Sequence, residues 1–254
     1  MERHLVSLPV HSGATLSEPR GLDVLLVIGP VPGPAYDYAG AIRWRAKTWR
    51  SRLAVVEKEL RRHGQWPSVM VSDELTRPSG LAAQLRADGW VDVERETVRW
   101  VGHASVVPHL DPSLRLEAVT ARTVPEHEAL ERRIFGLPAT QAAQRRDALA
   151  RAIVDDGLRV YLLRLHGEPV AVARLSIRSG LAGLYGIGVA PAHRGRGLGT
   201  LMTVVATRAG LALGGRLVWL SVDESNGPAT AMYERLGFRP AFTWARLMAP
   251  APPR

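Results

Sequence analysis

Between Tyr185 and Gly199 the chain reads Tyr-Gly-Ile-Gly-Val-Ala-Pro-Ala-His-Arg-Gly-Arg-Gly-Leu-Gly. An apolar run, Leu181 to Val189, stops at Pro191, turns through a basic glycine-rich segment and enters a helix-forming stretch, Thr200 to Leu213. This pattern predicts a strand, a turn and a helix. Gly195, Gly197 and Gly199 remove side chains where backbone must approach something closely, and a helix start leaves about four N–H groups free to face an anion. Arg194 and Arg196 add two fixed positive charges at the same place. The combination suits a pyrophosphate.

A glycine-rich turn needs its context to mean more than a turn. Here Arg216 to Val222 is a second apolar strand, so the two strands flanking the helix should run parallel with a right-handed crossover. Two motifs follow from the residues around them. The first, R/Q-x-x-G-x-G/A, is matched by Arg194, Gly197 and Gly199, with Val189 and Pro191 ahead of it. The second, V-x-x-x-N-x-x-A-x-x-x-Y-x-x-x-G-F, is matched by Val222, Asn226, Ala229, Tyr233, Gly237 and Phe238. On both motifs, in order, the segment resembles the GNAT superfamily of acyl-CoA-dependent N-acyltransferases. Residues 113 to 250 supply the other elements in the family's order: strand Leu114 to Val119, helices Val124 to Phe135 and Thr140 to Asp155, and strands Arg159 to Leu165 and Pro169 to Ile177. The resemblance implies a mixed α/β fold with a central, mostly antiparallel sheet and a splayed parallel strand pair.

It also implies roles for individual residues. Acetyl-CoA would be the acyl donor, its pantetheine arm lying along Ile187, Gly188 and Val189. Its pyrophosphate would sit on Arg194, Gly195, Arg196, Gly197, Leu198, Gly199 and Thr200, with Asn226 and Ala229 beside the arm. Gly186 and Gly188 inside a strand fit a bulge or a close approach, and an amide of that strand would stabilise the oxyanion. Tyr233 would protonate the departing thiolate; a thiol pKa near 8.5 and a phenol pKa near 10 make that transfer feasible. The best-known members carry a Glu on the strand before the turn, and Gly183 stands at about that position here. Asp223 and Glu224 are then the nearest acidic candidates for a general base, acting through water if they act at all.

Composition narrows the chemistry further. There are no cysteines, which excludes disulfides, thiolate zinc sites and an acyl-cysteine intermediate. The eight histidines show no close ligand spacing, so no metal is expected. The net charge of +9 is carried almost wholly by arginine, Lys47 and Lys58 being the only lysines. Residues 111 to 254 hold nineteen Lys and Arg against twelve Asp and Glu, whereas residues 1 to 110 are nearly balanced, with fourteen against twelve. That asymmetry suits an anionic ligand such as CoA, and nucleic acid is not expected as a partner. Nothing at the N-terminus reads as a targeting signal, and no window approaches the ~18 apolar residues of a membrane span. A cytoplasmic enzyme without a membrane partner is expected, with homodimerisation left open.

The N-terminal half reads as Leu5 to Val10, a candidate strand; Leu22 to Ile28, a buried strand; and a long amphipathic helix from Tyr36 to His63, with Ile42, Ala46, Trp49, Leu53, Val56 and Leu60 in one stripe. Strand Pro67 to Ser72, helix Ser79 to Ala87 and strand Val91 to Val101 follow. Val71-Ser-Asp-Glu74 to Gly89-Trp90 can be laid over Ser221-Val-Asp-Glu224 to Gly237-Phe238, so this half reads as a degenerate partial copy of the second. Leu85 stands where Tyr233 stands, and Val31-Pro-Gly-Pro34 cannot offer the N–H groups of the Arg194 to Gly199 turn, because proline has none. One acetyl-CoA site per chain follows. The expected organisation is a degenerate GNAT-like domain over 1–104, a linker over 105–112 and a catalytic domain over 113–254. The leading function is acetyl transfer to a primary amine of a small molecule or peptide. Protein N-terminal or lysine acetylation and a non-enzymatic acyl-CoA sensor are the alternatives.

Overall fold

The computed structural model describes residues 1–30, 37–107, 111–155 and 157–250. The Val31 to Pro34 segment, Tyr36 and part of the expected linker lie outside them. Contacts group the chain into two compact units that interleave along the sequence: 1–98 with 222–226 and 240–254, and 99–221 with 227–239. This differs from the sequential cut expected near residues 105–112, because the last strand belongs with the first unit.

The first unit opens with helix α1 (Glu2–Ser7) and a 3-10 turn (Leu8–Ser12), where Leu5 to Val10 reads as a strand from sequence. Pro9 has no N–H for a ladder, and Val6 is fully buried, its Cγ2 lying 2.7 Å from where a Cβ on Gly40 would sit. Packing, rather than β-propensity, sets this segment. Strands β1 (Thr15–Ser17), β2 (Leu25–Ile28) and β3 (Tyr38–Gly40) follow, then helix α2 (Trp49–Arg62), strand β4 (Ser68–Val71), helix α3 (Leu81–Ala87) and strand β5 (Val91–Val101). The expected helix from Tyr36 is therefore shorter by more than three turns. Ala41 adopts φ +53°, and Arg43 pairs with Arg77 as an isolated bridge, so Ile42 and Trp44 are buried by an irregular path outside the helical stripe. The strand order in this unit is β1-β2-β3-β4-β11-β5, where β11 is Arg239–Met248. β11 runs antiparallel to β4, Ala245 opposite Val71. Trp44, Trp49, Leu53, Leu60, Leu81, Leu85 and Leu247 fill the core between the sheet and α2 and α3.

The second unit contains β6 (Leu114–Ala118), α4 (Val124–Phe135), α5 (Ala142–Asp155), β7 (Arg159–Leu165), β8 (Glu168–Arg178), β9 (Leu181–Val189), α6 (Leu198–Ala212), β10 (Leu217–Asp223) and α7 (Gly227–Arg235). β10 ends in residues grouped with the first unit. The order is β10-β9-β8-β7-β6, antiparallel except for β9 and β10. Both units are mixed α/β, as expected. Leu130, Leu149, Leu158, Leu162 and Val172 make the core between α4, α5 and the sheet.

Each half contains a pair of parallel strands joined through a helix. β3, α2 and β4 form a strand, helix and parallel strand, Ala39 opposite Val69, as do β9, α6 and β10. At the end of α3 the Trp90 N–H donates to Leu85 O at 3.0 Å, with Gly89 at φ +87°. After α7 the Phe238 N–H donates to Tyr233 O at 3.0 Å, with Gly237 at φ +85°. The two helix ends share one cap, and Leu85 replaces Tyr233 as a fully buried core residue.

Candidate functional site

The parallel ladder between β9 and β10 pairs Leu181 to Leu184 with Leu217 to Leu220 and goes no further. β9 runs on to Val189, so Tyr185 to Val189 lie beyond that ladder. On its other edge β9 carries a bulge. Val172 opposes Gly188 and Arg174 opposes Tyr185, leaving Gly186 and Ile187 against the single residue Ala173. Gly186 takes φ +59°, a conformation that L side chains rarely adopt. A Cβ on Gly188 would fall 2.5 Å from Ile134 Cγ2 and 2.8 Å from Phe135 Cζ, so Gly188 lets the end of α4 sit close against β9. The two glycines thus serve different ends, one a bulge and the other a close approach.

After Val189 the chain passes through a 3-10 turn, Pro191–His193, and the Arg194 Nε donates to Val189 O at 3.2 Å, tying the turn to the strand end. Gly195 and Gly197 have φ +76° and +75°, and Gly197 is the N-cap of α6. The first helical bond runs from Leu201 N–H to Gly197 O, 3.0 Å. The amides of Leu198, Gly199 and Thr200 precede it, the orphan donors of a helix start. Arg194, Gly195, Arg196 and Gly197 are exposed. This is a helix start with free N–H donors, preceded by two arginines, chemistry that favours an anion.

Tyr233 is buried on α7, its ring 5.8 Å from that of Phe238 and tilted by 60°. Met232 on the same helix has its Sδ 3.7 Å from where a Cβ on Gly199 would lie, which brings α7 against the start of α6. Ala229, one turn before Tyr233, is half-buried. Asp223, Glu224 and Asn226 group with the first unit. The Asp223 Oδ1 accepts from the Ser225 amide at 2.7 Å and from the Ser225 hydroxyl at 2.5 Å. Those bonds, the hydroxyl first, hold its carboxyl below the usual carboxylate range. Glu224 accepts from Arg95 Nε at 2.8 Å. The Asn226 N–H donates to Asp223 O. Both expected base candidates are therefore engaged structurally.

Sequence reading missed a buried polar group on α4. Glu131, 6% exposed, accepts from Arg174 Nη2 of β8 at 2.6 Å through Oε2, while its Oε1 lies 3.6 Å from the Cβ position of Gly186. His127, one turn earlier, is fully buried, its Nδ1 is 4.0 Å from Glu131 Oε2, and neither ring nitrogen has a hydrogen-bond partner. Glu128 on the same helix pairs with Arg145 of α5 at 2.6 Å. A signal was present: 127, 130, 131 and 134 form one helical stripe, and a His and a Glu interrupt it. Removing one partner of a buried ion pair such as Glu131 with Arg174 costs about 3–5 kcal/mol, because the other charge stays behind.

Burial, and secondarily the Arg174 charge, push His127 down to about 3 from an ordinary 6.5. The unfolded chain therefore takes up this proton below about pH 6.5, whereas the folded chain refuses it until about pH 3. The stability tied to His127 is complete above pH 6.5 and is lost as pH falls toward 3, by at most about 1.4 kcal/mol per pH unit. Denaturant titrations of the native chain and of His127→Leu at pH 7, 6 and 5 should show a shallower acid loss in the variant. Equal slopes would mean that the imidazole is protonated in the folded state.

Among the described residues no helix is long and apolar enough to cross a membrane. A family model described as Acetyltransferase (GNAT) family matches residues 124–238. Over 66 residues the chain is 44% identical to a mycothiol acetyltransferase of Mycobacteroides abscessus, a span of 26% of this chain and 22% of that protein. Over 132 residues it is 30% identical to a mycothiol acetyltransferase of Clavibacter michiganensis subsp. michiganensis, covering 50% of this chain and 43% of that one. The chain thus spans less than half the length of these curated relatives. Among solved structures, a GCN5-related N-acetyltransferase from Kribbella flavida shares the fold with a TM-score of 0.75 and 20% identity, over 99% of this chain and 96% of that one. A tandem GNAT protein from the clavulanic acid biosynthesis pathway does so with a TM-score of 0.67 and 22% identity, over 91% and 79%. The strand, turn and helix described above lie inside the segment, residues 124–238, that is similar to the GNAT family of acetyltransferases.

Proposed function

We propose that this chain transfers the acetyl group of acetyl-CoA directly to a primary amine of a small molecule or peptide. The observation that carries the reading is the turn from Arg194 to Thr200, open to solvent at the end of a strand that outruns its parallel partner. Leu198, Gly199 and Thr200 would bind pyrophosphate oxygens through their amides, with Arg194 and Arg196 neutralising the charge. Ile187, Gly188 and Val189 would orient the pantetheine arm along β9, and Ala229 would flank it. An amide at the Gly186 bulge would stabilise the oxyanion that forms as the amine attacks. Tyr233 would donate its phenolic proton to the departing thiolate. Asp223 and Glu224, engaged by Ser225 and Arg95, are poorly placed to be the proton acceptor. The first half would bind no cofactor of its own, because the prolines of Val31-Pro-Gly-Pro34 offer no N–H to a pyrophosphate.

Calorimetry should find one acetyl-CoA per chain, with Leu85→Met leaving its affinity unchanged, and a panel of amines that includes acceptors related to mycothiol should release CoA thiol. A stoichiometry of two would overturn the degenerate-half reading. Tight acetyl-CoA binding without thiol release for any amine would replace the enzyme by a sensor.

A further inference from the structure

Resting on that reading, we propose that Glu131 of α4 receives, through a water molecule, the proton that the acceptor amine sheds. Three independent features converge on it. Its carboxylate stands against Gly186, the bulged residue of the strand expected to hold the thioester, with Oε1 toward the glycine and Oε2 held by Arg174. His127 beside it is fully buried with both ring nitrogens lacking a hydrogen-bond partner. A buried imidazole in that state is rare and calls for a water or a substrate group. Finally, Asp223 and Glu224, each held at one oxygen as Glu131 is, are exposed, whereas Glu131 is buried.

In the step proposed, the amine nitrogen bonds to the thioester carbonyl carbon and the carbon–sulfur bond breaks. The thiolate leaves with the Tyr233 proton, and the proton released from nitrogen passes through water to Glu131 Oε1. Exchange with solvent then returns Tyr233 and Glu131 to their starting states. The charged and titratable groups around Glu131 are His127 on its own helix, Arg174 on β8 and Tyr185 on β9, which packs on the same apolar cluster; on the α5 side Arg145 is committed to Glu128.

Glu131→Gln keeps the side-chain volume and an oxygen that accepts from Arg174 but takes no proton; because it leaves the Arg174 charge unpaired, thermal melting first establishes that the variant is folded at the assay temperature. Acetyl-CoA affinity by calorimetry should stay within about twofold, while turnover with a reactive amine falls roughly 10²- to 10⁴-fold. The acid limb of the pH profile should flatten. Retention of more than about half the turnover overturns the proposal. So does a parallel collapse of acetyl-CoA affinity, which would make Glu131 a support for the bulge alone. A native enzyme that releases no thiol with any amine overturns the acetyltransferase reading first, and this proposal with it. Native activity with an unaffected Glu131→Gln removes only the proposal.

Discussion

Tyr233→Phe should lower turnover by roughly 10² to 10⁴-fold, the usual contribution of a positioned general acid, with acetyl-CoA affinity almost unchanged. The substitution deletes one hydroxyl and keeps the ring, so the tilted contact with Phe238 and the helix cap through Tyr233 O both survive. Because the side chain is 7% exposed, bulk solvent is a poor substitute donor at the phenol's place. If thiolate departure limits the rate, the deficit should shrink as pH falls and hydronium supplies the proton. Kinetics from pH 6 to 9, paired with calorimetry, separate these effects. A variant with more than about half of native turnover throughout would return Tyr233 to a packing role. A large rise in acetyl-CoA Kd would make the hydroxyl a binding group.

What the sequence disclosed, and what it hid, follows from the range of the forces involved. α4, β5, β7 and β9 end where their apolar runs and flanking glycines and prolines place them, since those are local properties. The glycine-rich turn after β9 was legible for the same reason: left-handed φ at Gly195 and Gly197 is written in residue type. The opening helix was not, because Val6 is buried against Gly40 and Tyr38 donates its hydroxyl to Val6 O across 32 positions. No local pattern records such a contact. β11 lies within the range 113–254 expected to form the second domain, yet its ladder partner is β4. Strand propensity says nothing of which edge a strand joins. The two acidic residues chosen for the base lay next to a recognised motif, whereas Glu131 lay on a helix read only for its apolar stripe. Arg174 comes to it from 43 positions away.

Gly197→Glu should abolish measurable acetyl-CoA binding at concentrations that saturate the native chain, and Gly197→Ala shows how much of that is backbone. At φ +75° any L side chain is strained by about 1–2 kcal/mol, although nothing lies within 4 Å of the Cβ position. Both variants share this penalty, which should appear as a modest drop in Tm of a few degrees for a chain of this size. Only the Glu variant puts a negative charge at the N-terminus of α6, where the helix end, Arg194 and Arg196 would otherwise meet pyrophosphate. Like charges brought together at an interface cost several kcal/mol, so Kd should rise by more than about 10²-fold relative to Gly197→Ala. The gap should narrow in high salt, because these groups are exposed and screened. Thermal melting establishes that both variants fold, and calorimetry at low and high salt measures the difference. Equal affinities for the two variants would place the cofactor's phosphates somewhere other than this turn.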